Sequence, residues 1–186
     1  MCDICNGGTW DDVLLRKHLA IESHGWSYTA VMSDPGRACW TYTVGLTSSF
    51  DHPELVITGV TPEIAAGLIE ELCLRVADGD SLLAGGRRTI GETTVQLLDV
   101  HTAQLLPTLA DWARYYGSLG APLPTLRALQ VVVPEGWFCG SHADPQPLLD
   151  RAWPLFTDAT MNRVGRRAQQ RAGSRRSGGR LRPRGW

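Results

Sequence analysis

Apolar residues along the chain fall at two spacings, helical and strand-like, and each predicts a different element. In the stretch TWDDVLLRKHLAIESHG, Thr9 and Asp12 stand in capping-box spacing and Gly25 at a stop position, which predicts a helix over residues 10–23. Its apolar stripe takes in Leu14, Leu15 and Ile21, with His18 among them as a packing histidine. Two runs rich in aromatic and β-branched residues follow, WSYTAVMS and CWTYTVGL, separated by the turn former DPGR, and together they predict a hairpin. HPELVITGV supplies a third strand over residues 55–60. The clearest helix starts at Thr61 as N-cap and Pro62 at its first position, with Ile64, Ala65, Leu68, Ile69, Leu72 and Val76 on one face and Cys73 beside them as a core thiol.

Beyond a glycine-rich link, TTVQLLDV reads as a strand. Thr108 to Tyr116 reads as a helix, with Thr108 and Asp111 in capping-box spacing. Residues 126–133, LRALQVVV, are apolar on both faces apart from Arg127 and Gln130, the pattern of an interior strand. Gln130 therefore either satisfies a neighbouring backbone group or points into a pocket and reads a ligand. From Pro134 to Pro154, four prolines among glycines predict an irregular arm. The expected fold is α+β: a single domain, with a mixed or mainly antiparallel sheet of about five strands packed by two to three helices. There are no internal repeats.

Charge divides the chain in two. Residues 163–186 carry nine arginines and no acidic residue, whereas residues 1–162 carry nine basic and nineteen acidic residues. With glycine, serine and proline breaking any helical period, the last 24 residues are expected to form a disordered arginine-rich tail on a domain of residues 1–162. Such a tail could contact nucleic acid through phosphates, or simply solubilise the domain. Of the 18 basic residues, seventeen are arginine and one, Lys17, is lysine, so part of this bias could be coding composition. No stretch approaches the roughly 18 apolar residues of a membrane span, and no signal-peptide pattern opens the chain, so a cytoplasmic protein without membrane contact is expected.

Cys2 and Cys5 form a Cys-x-x-Cys pair, and Cys139 and His142 stand in Cys-x-x-His spacing in the irregular arm. Together they have the ligand types of a closed tetrahedral zinc site, which makes zinc a candidate cofactor. The alternatives are a redox pair, which lacks the preceding strand of a thioredoxin-like context, and cysteines with no shared chemistry. His52 and Glu54 flank Pro53 just before a strand, where they could serve as a general acid/base pair or as metal ligands, or merely cap the turn. Trp40 and Tyr42 could wall a pocket with Thr43 beside them, though Tyr42 and Thr43 must point to opposite faces of the sheet. Familiar hydrolase, nucleotide-binding and metalloprotease motifs are absent.

Several of these segments occur together in a recognisable order: the N-terminal Cys-x-x-Cys, His24-Gly25-Trp26, TYTVGLT (Thr41 to Thr47), HPELVITG (His52 to Gly59) and LRALQVV. In this the chain resembles the bacterial domain-of-unknown-function family 4262, over about residues 2–149. The resemblance implies an α+β domain and no assigned activity. Three functions stay open: a binding or accessory domain for a small molecule or protein, with its pocket at the TYTVGL and HPEL segments; an enzyme using His52 and Glu54 with a metal; and an adaptor acting through the tail.

Overall fold

The computed structural model describes residues 7–32, 38–134, 137 and 146–151. Cys2, Cys5, Cys139, His142 and residues 163–186 lie outside the described residues. Among those described, no helix is long and apolar enough to cross a membrane.

Helix α1 (Trp10–His24) is followed by the antiparallel hairpin β1 (Ser27–Val31) and β2 (Trp40–Val44), then a short helix α2 (Leu46–Phe50), strand β3 (Glu54–Thr58) and helix α3 (Pro62–Ala77). A second hairpin, β4 (Arg87–Ile90) and β5 (Thr93–Asp99), leads to α4 (Thr102–Thr108), α5 (Ala110–Ser118) and β6 (Ala128–Val132). The six strands form one mixed sheet in the order β1-β2-β3-β6-β5-β4. Every neighbouring pair is antiparallel except β3 and β6, which run parallel.

Strand register assigns the two faces. Thr41 stands opposite Ile57 and Tyr42 opposite Val56, so odd positions of β2 and β3 share one face and even positions the other. The odd face packs on α3: Leu55, Ile57, Val95, Leu97, Leu129 and Val131 join Leu68, Ile69 and Leu72 in one buried core. Burying each such leucine or isoleucine contributes about 1.5–3 kcal/mol, enough to hold α3 despite an N-cap Thr61 that makes no side-chain hydrogen bond. The even face carries Tyr42 towards α5, where its hydroxyl accepts from the Asp111 backbone N–H at 3.0 Å. Trp40 points the same way, and its indole N–H donates to the Thr108 carbonyl at 2.9 Å.

The expected α+β fold is present, and β6 is an interior strand as its two-faced apolar pattern predicts. Several details differ. The glycine-rich link holds β4, whose adjacent Arg87 and Arg88 gave no apolar signal, so the sheet has six strands among the described residues. The described residues form five helices rather than two to three. The expected capping box of Thr108 and Asp111 does not form, because Thr108 ends α4, Leu109 is the N-cap of α5, and the buried Thr108 hydroxyl has no partner among the described residues. Leu15 and Ile64 sit on the solvent side of their helices instead of in the stripes. In α1 the inward positions belong to Lys17 and Ile21. The Thr9–Asp12 box and the Gly25 stop at φ 93° do form, which fixes both ends of α1.

Candidate functional site

Between β2 and β3 the chain makes a tight excursion through α2, and Glu54 organises it. The Glu54 side chain is fully buried. Its Oε1 accepts from the Gly45 N–H at 3.1 Å, the Thr47 N–H at 3.2 Å and the Thr47 hydroxyl at 3.0 Å. Its Oε2 accepts from the Thr43 hydroxyl at 2.6 Å, and Thr43 Oγ1 in turn accepts from the Leu55 N–H at 2.8 Å. Burial pushes the Glu54 carboxyl above its ordinary value, while these four donors pull the other way. The sequence fits the turn: Gly45 adopts φ 119°, and a Cβ there would lie 2.8 Å from both the Gly25 carbonyl and the Ile21 side chain. Glu54 and Thr43, expected as acid/base and ligand residues, thus spend their hydrogen bonds inside the protein.

His52 follows Asp51, the one described non-glycine residue with positive φ, at 50°. The imidazole is only 6% exposed. Its Nδ1 lies 2.7 Å from the Pro53 carbonyl, which can only accept, so Nδ1 carries a proton. Its Nε2 is buried and has no hydrogen-bond partner among the described residues. Burial lowers the ring's pKa, against the pull of the Pro53 and Leu82 backbone carbonyls; the Arg127 charge lowers it further and Asp80 opposes. Both charges are paired: Arg127 Nη2 with Asp51 at 2.8 Å and Arg88 with Asp80 at 3.0 Å. A neutral imidazole with Nδ1 committed to Pro53 and no donor to Nε2 among the described residues can accept a further hydrogen bond, and such rings also ligate metals. Among the described residues no three His, Cys, Asp or Glu side chains converge on a metal position.

Gln130, fully buried in β6, donates from Nε2 to the Thr58 hydroxyl at 2.9 Å and the Pro147 carbonyl at 2.7 Å, and its Oε1 accepts from the Leu149 N–H at 2.7 Å. Both amide hydrogens are used, and the residue pins 146–149 to the sheet. The expected residues therefore divide into separate places: Thr43, Glu54 and His52 around the α2 turn, Trp40 and Tyr42 beneath α4 and α5, and Gln130 under the end of the arm.

A cluster that the motifs did not single out surrounds Tyr42. Lys17, 6% exposed, donates to the Thr29 hydroxyl and lies 3.7 Å from Asp111 Oδ2. Thr29 donates to the same carboxylate oxygen at 3.3 Å, and Arg114 binds the other at 2.8 Å. Burial lowers the Lys17 pKa, with Asp111 opposing, and burial raises that of Tyr42, reinforced by the Asp111 charge. The one sequence signal for this cluster was compositional: it holds the single lysine of the chain.

No curated protein and no solved structure matches this chain. The sequence profile of a family described as a domain of unknown function (DUF4262) matches residues 20–137, which include α1 from Ala20, the whole sheet and the His52 turn. With most of the chain covered, the protein belongs to this domain-of-unknown-function family.

Proposed function

We propose that the domain binds a small polar molecule at the His52 end of the TYTVGL and HPEL segments. The observation that carries this reading is the buried Nε2 of His52, an acceptor with its tautomer set by Pro53 and no donor among the described residues. Leaving such a group unpaired costs about 1–3 kcal/mol, so a ligand N–H or O–H reaching it recovers that amount on binding. The Asp51–Arg127 and Asp80–Arg88 pairs beside it would favour a ligand bearing charge or several polar groups. Glu54 supports this reading as the residue that holds the turn in place, rather than as a partner in acid/base chemistry, because four donors already occupy its oxygens.

The test is a thermal-shift panel of amino acids, polyols, nucleosides and zinc ion on wild type and on His52→Gln. A compound that raises the wild-type Tm but not that of the variant supports the site. A panel that shifts neither protein, or both equally, removes it. The arginine-rich residues 163–186 carry a second, separate reading, contact with nucleic acid, supported by nine arginines without one acidic residue. A salt-dependent electrophoretic shift that survives deletion of these residues would exclude it.

A further inference from the structure

The strongest unexplained arrangement lies on the other face of the sheet, around the amine of Lys17. A chain that uses arginine seventeen times and lysine once places that lysine where it is least exposed. If the position required only a positive charge beside Asp111, the weakly hydrated and always charged guanidinium would be the better buried partner. A primary amine differs in being able to lose its proton and become a nucleophile. The groups that such an amine needs surround it. Asp111 Oδ2, at 3.7 Å, can take the proton, and Thr29 holds the nitrogen in place. The Tyr42 hydroxyl accepts from the backbone N–H of Asp111.

The cluster reaches solvent on one side. Arg114, whose side chain is 43% exposed, binds Asp111 Oδ1 and lies 3.7 Å above the ring of Trp10, itself half exposed on the first turn of α1. Trp10 and Lys17 are seven residues apart and share one face of α1, and Arg114 spans from the Trp10 ring to the Asp111 carboxylate that pairs with the amine. A partly exposed guanidinium on the carboxylate beside an amine suits a small molecule that carries a carboxylate beside its carbonyl group.

We propose that Lys17 is a carbonyl-reactive amine that binds a small 2-oxo acid as an imine, with Arg114 holding the carboxylate. In the step, the Lys17 ammonium gives a proton to Asp111 and the free Nζ attacks the carbonyl carbon. The new C–N bond forms as the carbonyl oxygen takes up a proton, and that oxygen leaves as water. The iminium retains the one positive charge of the starting ammonium. Burial, which lowers the Lys17 pKa, increases the fraction of free amine, while Asp111 on α5 opposes it; Thr29 on β1 is neutral, and Tyr42 on β2 keeps its proton.

The single lysine makes the experiment specific. The full chain is incubated near neutral pH with glyoxylate and sodium cyanoborohydride, and the reduced adduct is mapped by peptide mass. The expected result is one adduct on the peptide containing Lys17, formed faster than on the same lysine in urea-unfolded chain, because burial lowers the Lys17 pKa in the folded protein. Arg114→Met is expected to raise the glyoxylate concentration giving half-maximal rate several-fold, with little change for propionaldehyde, which has no carboxylate. Labelling confined to the terminal amine, or Lys17 reacting more slowly folded than unfolded, would overturn the proposal and leave Lys17 as a packing cation. Both comparisons use wild-type protein, so they hold even if Lys17→Arg fails to fold.

Discussion

Replacing Glu54 by glutamine separates a structural carboxylate from a chemical one. In wild type three donors converge on Oε1 and one on Oε2. A carboxamide oxygen can keep the three donors from Gly45 and Thr47. Its NH2 group must then face Thr43 Oγ1, which already accepts from the Leu55 N–H at 2.8 Å. The Thr43 O–H thereby loses its acceptor inside the core, and one charge-assisted bond of about 1.5–3 kcal/mol disappears with it. Relief from burying a charge offsets part of that loss. The expected net destabilisation of Glu54→Gln is about 1–2 kcal/mol, and Glu54→Ala, which strands all four donors, costs about 4 kcal/mol or more. Urea denaturation followed by tryptophan fluorescence measures both. Thr43→Val removes the same Oε2 contact, so the Thr43→Val, Glu54→Gln double variant should cost clearly less than the two singles together. A Glu54→Gln protein as stable as wild type, or a strictly additive pair, would refute the cradle.

Three further outcomes are expected. Gly45→Ala combines a backbone at φ 119° with a Cβ 2.8 Å from the Gly25 carbonyl, and should lower stability by about 3 kcal/mol in the same denaturation assay; a loss below 1 kcal/mol would contradict the close approach. Because burial depresses the His52 pKa, the unfolded chain binds its proton first as pH falls. The stability due to His52 is therefore complete above about pH 6.5 and drains away as pH falls to the folded-state pKa, a slope that should flatten in His52→Gln when Tm is followed across that window. If Cys2, Cys5, Cys139 and His142 hold zinc, elemental analysis of gently purified protein should find one metal per chain, lost in Cys2→Ser and in Cys139→Ser; metal-free wild type would end that reading.

What the sequence determined was mostly local. Both ends of α1 follow from Thr9, Asp12 and Gly25, because capping bonds span three or four residues and glycine alone enters the left-handed region without strain. The period of α3 was legible in Ala65, Leu68, Ile69, Leu72 and Val76, and the interior place of β6 in its two apolar faces. Motif order gave the family, since TYTVGL and HPEL are contiguous strings. Tertiary structure decided which polar groups meet. Gln130 could have read a ligand until the chain returned Pro147 and Leu149 to its amide, 17 and 19 residues away. Glu54 reads as a catalytic acid until β2 and the α2 turn set Thr43, Gly45 and Thr47 around it. Lys17 stands out in the sequence only as the single lysine, and only the packing of α1 and α5 over β1 brings Thr29 and Asp111 to it. Hydrogen bonds act over about 3 Å in space and carry no trace of sequence separation, so periodicity finds the elements and only the fold assembles the site.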